Sequence, residues 1–384
     1  MLLVLGWYDY RLHRGIERYA LNHGWRLYEG LVRESGVPKS WDGDGILAWL
    51  GADNDLADFV FQARKPTVDF SFRRPQFKLV RVLEDTVCEA QIVADHFLSR
   101  GFRHFAFYSD MENWIYEERG EAFLKSLTAA GRQAFWLKWH AAPCFCNDRN
   151  AWRKKQEWLL AELRRLPKPL GVFAATDRLA LELVQICEDS RLVVPDEVAV
   201  VGAGNSLLAV DTMCTPISSV DPNMDALGYR GAEELDKMMR HKPGPVLPIR
   251  VPPARLIVRK SSDLMAVNHP GISRSLRFMR EHYHEPIGVA DLVRIAAMSR
   301  RRFHEVFKNC LGRSPGGELQ HIRIERAKDL LMQSAEKIDA VAEKCGYQSG
   351  NSFWVAFRQV TGMTPSKFRA QMANALPPSN SLHD

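Results

Sequence analysis

One unit is written twice near the C-terminal end of the chain, between residues 287 and 369. Phe303, Phe307, Gly312 and Pro315 recur as Phe353, Phe357, Gly362 and Pro365, each pair separated by 50 positions. Four landmarks at one offset mark an internal duplication, so whatever core the first copy builds the second must build again. Each copy opens with apolar residues at helical spacing: Leu292, Val293 and Ala296 in the first, Val341, Ala342 and Cys345 in the second. A short turn follows, with Gly346 in the second copy, where a positive φ costs least. Ser299 and Ser349 then cap a second helix. That helix buries Phe303, Val306 and Phe307 in one copy and Phe353, Ala356 and Phe357 in the other.

The opposite face of this second helix carries Arg300, Arg301, His304, Glu305 and Lys308 in copy one, and Gly350, Asn351, Trp354, Val355 and Arg358 in copy two. Side chains one, four and five residues apart near the start of a helix are the set that a helix-turn-helix inserts into a major groove. A helical bundle with basic faces would share the periodicity but not the charge. Residues 272–372 hold 17 Lys and Arg against 10 Asp and Glu, a net +7 in a chain whose total is +6. The positive charge is therefore concentrated on the duplicated segment, as phosphate binding requires.

The run from Ser299 to Lys308, Gly312-Arg313-Ser314-Pro315, a helix over 322–332 and the closing Phe357 to Arg369 closely resemble the AraC-type DNA-binding domain, over about 100 residues. The resemblance implies two motifs joined by a linking helix and reading adjacent major grooves. It assigns base-edge positions to Arg301, His304 and Glu305, and to Gly350, Asn351, Trp354 and Val355. Arg300, Lys308 and Arg358 complete the expected DNA-binding set. Two departures stand out. Ala297 occupies a turn position that is often Gly, which implies a tighter, strained turn. Gly350 has no side chain, which leaves the second motif to Asn351, Trp354 and backbone groups.

At 384 residues the chain is too long for one core and suits two or three domains. Residues 1–5 are too short an apolar start for a signal peptide, and no run approaches a membrane span, so a cytoplasmic protein is expected. Seven scattered cysteines suit reduced thiols. The one close pair, Cys144 and Cys146, lacks a second pair to complete a metal site, so no metal and no cofactor are expected.

The first 260 residues alternate short apolar runs with amphipathic segments. Strands are expected at 2–5, 25–28, 45–48, 67–70, 104–108, 135–139, 171–174, 198–202 and, closing the domain, 251–259. Helices are expected at 12–22, 54–63, 85–100, 117–130, 152–166, 176–190 and 224–240. The 85–100 helix places Val87, Ala90, Val93, Ala94 and Phe97 on its buried side. Such alternation implies doubly wound parallel sheets, whose ligands bind beyond the C-terminal strand ends. The loops to watch are 6–11, 71–75, 109–119, 175–178 and 203–206.

Several of these loops resemble LacI-type regulators, which share the two-lobed fold of periplasmic sugar-binding proteins. Glu118 to Phe123 matches the segment whose Arg, here Arg119, hydrogen-bonds sugar hydroxyls. Phe173 to Ala180 matches a strand-to-helix junction carrying Thr176-Asp177. Val198 to Asn205 matches a strand ending in a sugar-binding Asp; here Gly204 stands in that place, with Asn205 beside it. Residues 217–221 with Gly228-Tyr229 match the return crossover. The candidate ligand-binding residues are Asp9, Arg119, Asp177 and Asn205. Each has a plainer alternative: Asp9 or Asp177 as a helix cap, Arg119 as a surface ion pair with Glu117 or Glu121, Asn205 as a turn residue. Trp114 and Tyr116 are secondary candidates for closing the cleft, with partly exposed packing as their plainer alternative, and Asp221 is a crossover cap or a weak ligand candidate.

The whole chain is thus expected to be α/β: a two-lobed sensor of doubly wound parallel sheets over 1–262, a linker at 263–271, an all-α double helix-turn-helix domain over 272–372, and a disordered tail at 373–384. A sensor placed before an AraC-type head resembles pentose-operon regulators. This implies double-stranded operator DNA, a small sugar effector such as D-xylose, RNA polymerase and a second copy of the chain as partners. A changed pocket at Gly204 would instead take another small polar ligand. A DNA-binding enzyme is disfavoured: there is no Gly-rich phosphate loop, no His-Glu-x-x-His and no nucleophile elbow.

Overall fold

The computed structural model describes residues 1–29, 41–51, 54–110, 113–139, 149–206, 215–240, 247–264, 269–333 and 336–369. Cys144 and Cys146, residues 265–268 of the expected linker and the expected tail lie outside these residues. Among the described residues no helix is long and apolar enough to cross a membrane. The chain divides into two compact units, Met1–Leu264 and Met265–Asp384.

The first unit contains two sheets. In one, β1 (Leu2–Leu5), β2 (Ile46–Trp49), β3 (Thr67–Asp69), β4 (Val80–Glu84) and β10 (Ile249–Val251) lie side by side in that order, all parallel. One face packs on α1 (Tyr10–His23) and α7 (Met224–Met239) through Leu3, Leu12, Ile16, Val68, Phe70 and Leu227. The other face packs on α2 (Asn54–Ala63) through Leu2, Val4, Ile46, Ala57 and Val60. Apolar residues on both sides of β1 and β2 are what a parallel sheet covered on both faces demands. The second sheet has the order β11-β9-β8-β7-β5-β6, built from β5 (His104–Ser109), β6 (Ala134–Lys138), β7 (Leu170–Ala174), β8 (Val198–Ala203), β9 (Ser218–Asp221) and β11 (Arg255–Ile257). Only β11 runs antiparallel, against β9. Its helices are α3 (Thr86–Ser99), α4 (Trp114–Ala129), α5 (Arg149–Arg165) and α6 (Asp177–Asp189). The chain crosses between the two sheets three times: from β4 to α3, from β9 to α7 and from β10 to β11.

Four expectations differ from the structure. Residues 25–28 form no strand; only Tyr28 bridges Leu2, beside β1. The strand β4 was not anticipated, because its five residues are short and include the buried Arg81. The single closing strand over 251–259 is two strands in different sheets. Pro252 and Pro253 separate them, each lacking the N–H that a continuous ladder would use. On α3, Val87 points outward, 57% exposed, while Glu89 is fully buried on the packed face.

The second unit is all helix: α8 (Pro270–Glu281), α9 (Val289–Ala296), α10 (Arg300–Leu311), α11 (Pro315–Gln333), α12 (Ile338–Lys344) and α13 (Gly350–Thr361). It has two cores. Ile272, Leu276, Met279, Leu292, Phe303, Phe307 and Leu319 form one. Ile324, Ala327, Leu331, Val341, Phe353, Phe357 and Phe368 form the other. Helix α11 gives Leu319 to the first and Ile324, Ala327 and Leu331 to the second, so it joins the two motifs as a shared wall. Ser299 and Ser349 cap α10 and α13 as expected, accepting from Arg302 N and Ser352 N. Gly312 and Gly362 end those helices at φ 71° and 76°.

Candidate effector cleft and DNA-reading face

In the sensor unit the charged residues converge at the C-terminal strand ends, where the two sheets face each other. Arg119 sits in the second turn of α4 and is 3% exposed. Its Nε donates to Glu89 at 2.8 Å, its Nη1 to the Ala175 carbonyl at 2.6 Å and its Nη2 to Glu84 at 3.0 Å. The surface pair with Glu117 or Glu121 is not what forms; Glu117 pairs with Lys138 at 2.6 Å instead. Glu84 ends β4 and Glu89 lies in the first turn of α3, so one guanidinium ties the first sheet to two elements of the second lobe. Two buried carboxylates share that single cation. Burial pushes Glu89 up to about 7, against the opposing pull of Arg119, and raises Glu84 as well. Glu89 Oε1 is buried with no hydrogen-bond partner among the described residues.

Asp9 follows β1 and caps α1, accepting from Arg11 N at 2.8 Å. The cap is therefore real, but the same carboxylate also holds the Arg11 guanidinium, at 2.7 Å. Arg11 continues across the cleft, donating to the Gly204 carbonyl at 2.8 Å and to the Asn205 carbonyl at 3.2 Å. Asp177 is not the cap of α6; Thr176 is. Asp177 is buried, accepts from Ser206 N at 2.8 Å and from the Ser219 hydroxyl, and its carboxyl is raised by burial. Asn205 is buried, gives its amide to Asp221 at 3.1 Å and receives Arg259 at 3.1 Å.

The four expected ligand residues thus lie near one another: Arg11 links Asp9 to the backbone of Gly204 and Asn205, Asp177 lies against Gly204, and Arg119 holds the Ala175 carbonyl two residues before Asp177. Gly204 has φ +125°, and a Cβ built there would lie 3.3 Å from Asp177 Oδ2. The Asp177 carboxylate fills the space that a side chain at 204 would claim. Around the mouth, Trp7 packs on Trp49 with centroids 4.8 Å apart, and Phe72 of the first lobe meets Trp114 of the second edge-on at 6.0 Å. Tyr116 is buried.

Sequence reasoning missed Arg11, Glu84, Glu89, Ser219 and Arg259. Glu89 left a signal: Glu89, Val93 and Phe97 lie four residues apart, so a carboxylate interrupts the apolar stripe of α3. Glu84 likewise closes an apolar run.

On the second unit, α10 and α13 turn the expected residues outward. Arg300, Arg301, Glu305 and Lys308 are exposed and His304 is half-buried. Glu305 pairs with Arg302 at 3.4 Å. On α13, Asn351, Trp354, Val355 and Arg358 are exposed, and Arg358 lies over the Trp354 ring at 5.7 Å. Ala297 adopts the left-handed conformation at φ 54°, which is the strain expected of that turn. Gly346 holds the corresponding place at φ 78°.

Comparison with known proteins agrees with this geometry. A periplasmic binding protein-like domain matches residues 94–262, and a helix-turn-helix domain matches residues 292–371. The xylose operon regulatory protein of Haemophilus influenzae is 28% identical over 94% of this chain and 95% of its own length. That of Escherichia coli K12 is 25% identical over 94% of each. The solved structure of a xylose-binding transcription activator covers 96% of this chain and 98% of its own, with a TM-score of 0.69 and 23% identity, and so shares the fold. A LacI family regulator from Mycobacterium smegmatis, 19% identical, covers 69% of this chain and 99% of its own at a TM-score of 0.54. The chain is therefore a ligand-responsive DNA-binding regulator, similar along nearly its whole length to the xylose operon regulatory proteins, that joins a periplasmic binding protein-like sensor to a helix-turn-helix domain.

Proposed function

We propose that the sensor binds a pentose, D-xylose, in the cleft between its lobes, and that the bound state sets the engagement of operator DNA. The observation that carries this reading is the convergence of Asp9, Glu84, Glu89, Arg119, Asp177 and Asn205 on one buried locus. Planar donors and carboxylates that share hydroxyl hydrogen bonds, with aromatic rings at the rim, are the chemistry of sugar recognition. Glu89 Oε1, buried and without a partner, would accept a sugar hydroxyl. The relatives named for xylose support the choice of pentose. Ligand shifts such a protein only by its differential affinity for two arrangements of the lobes. Arg11 and the Arg119–Glu84 pair are the contacts that opening would break.

The same reading places Arg300, Arg301, His304, Glu305, Lys308, Asn351, Trp354, Val355 and Arg358 against DNA. It also takes two copies of the chain to occupy paired half-sites, RNA polymerase as the partner of the bound complex, and the cytoplasm as the compartment. A regulator of this kind has no need of a catalytic site.

The test is a thermal-shift and calorimetric screen of the full chain against pentoses and hexoses. At 100 times its dissociation constant a ligand adds about 2.7 kcal/mol. D-Xylose is expected to bind, and Glu89→Gln to weaken it at unchanged stability of the free protein or better. Binding of a different sugar alone would replace xylose and assign the change of pocket to Gly204. No shift with any sugar would overturn the sugar reading. Product analysis in the same incubations would expose any turnover.

A further inference from the structure

A second polar cluster lies on the first lobe and takes no part in the cleft. His13, in the first turns of α1, is 7% exposed. Its Nδ1 meets the Tyr8 hydroxyl at 3.2 Å. Its Nε2 is buried without a hydrogen-bond partner among the described residues. Two carboxylates face that nitrogen, Glu29 at 3.3 Å and Glu17 at 3.8 Å. The three ligand atoms all lie within 4.8 Å of one another. The arrangement follows from the local fold. His13 and Glu17 are four apart on α1 and so share a face. Glu29 follows Tyr28, whose backbone is pinned beside β1 by Leu3 N donating to the Tyr28 carbonyl and Tyr28 N to the Met1 carbonyl.

Two carboxylates and an imidazole nitrogen turned to one point form a donor set suited to a cation. Either His13 pairs with the glutamates directly, or a metal ion sits among the three. The geometry points to the second: a site for a divalent first-row cation such as Zn2+ or Mn2+, with His13 Nε2, Glu17 and Glu29 as its three protein ligands. Ligands about 2.1 Å from a tetrahedral ion stand about 3.4 Å apart, the spacing found between Nε2 and Glu29. In the tautomer that donates Nδ1–H to the Tyr8 hydroxyl, Nε2 keeps its lone pair and the ring is oriented, as second partners of metal-bound histidines do. Glu17 is half-exposed, so the fourth side is open to water. The ion braces Tyr8, one residue before Asp9, and thereby the segment that supplies Asp9 and Arg11 to the cleft.

The experiment is equilibrium dialysis of the chelator-stripped full chain against Zn2+, with bound metal counted by mass spectrometry. Mn2+ binding, followed by loss of its free electron-spin-resonance signal, repeats the count with an ion that thiols hold poorly. The wild type is expected to hold one equivalent more than His13→Gln. Tyr8→Phe is expected to weaken that equivalent about 10- to 100-fold, which loss of a simple ion pair would not do. Glu17→Gln, at an exposed position, keeps the comparison if His13→Gln fails to fold, and it too should lose the equivalent. Equal metal content in the wild type, Glu17→Gln and any folded His13→Gln would overturn the site and leave His13 in direct contact with the glutamates.

Discussion

The two helix-turn-helix copies share a scaffold and differ in what they present. Helices α10 and α13 are each 12 residues long, begin at a serine cap and end at a left-handed glycine, 50 positions apart throughout. Their packed sides match: Phe303, Val306 and Phe307 against Phe353, Ala356 and Phe357, all buried. Outside, α10 shows Arg300 and Arg301 where α13 has Gly350 and Asn351, while Lys308 and Arg358 keep an exposed cation at the matching place. The cores answer to one packing requirement and so stayed alike. The outer faces are free of that requirement and differ most at their N-terminal ends, where α10 offers two guanidinium groups and α13 an amide beside apolar groups, chemistries that under the proposed DNA reading suit different base edges. The turns differ too. In the first helices the offset is 49 (Leu292 and Val341, Ala296 and Cys345), so the second turn is one residue longer. Its Gly346 abuts the Tyr283 carbonyl, 2.4 Å from where a Cβ would stand.

The comparison can be strained first at its shared part. Phe303→Ala and Phe353→Ala should each cost about 3–5 kcal/mol in denaturant unfolding. A large cost in one copy and almost none in the other would break the claim of equal cores. At the turns, Gly346→Ala should destabilise by roughly 1–3 kcal/mol, from the left-handed backbone and the Tyr283 carbonyl together. Thermal unfolding unchanged by this substitution would show that the turn relaxes freely. On the outer faces, Arg301→Ala should weaken DNA binding by about 1–3 kcal/mol and relax the preference for G·C at one position of sequences selected from a random pool. Val355→Ala should instead relax a preference for A·T at another position. Uniform weakening across all sequences would make Arg301 a phosphate contact and erase the contrast. Smallest of all, Ala297→Gly should stabilise the head by about 0.5–1 kcal/mol, because Ala bears the left-handed strain that Gly346 avoids. A loss of stability would mean that the first turn needs its Ala side chain.

Much of the head was legible because its information is local. Periodicity, caps and left-handed glycines act within a few residues, and the duplication stated them twice. The β-α alternation of the sensor was legible for the same reason, since strands covered on both faces read as apolar runs. The short β4 escaped because five residues with a buried Arg carry little periodic signal. The closing strand was read as one because nothing short of the sheets shows that Pro252 and Pro253 sit between two of them.

The cleft divides in the same way. That Asp9, Arg119, Asp177 and Asn205 lie after strands follows from the order of elements along the chain. Their partners do not follow. Arg119 meets Glu89 and Glu84, 30 and 35 positions away, and Arg11 meets Gly204 across 193. By itself the sequence determined the element types, the duplicated core and the seat of positive charge, because each depends on neighbours along the chain. Only the tertiary structure decided which charges are buried together, because a buried carboxylate is tolerated only where cations or hydrogen-bond donors from distant elements meet it, as Arg119 meets Glu84 and Glu89 and Ser219 meets Asp177.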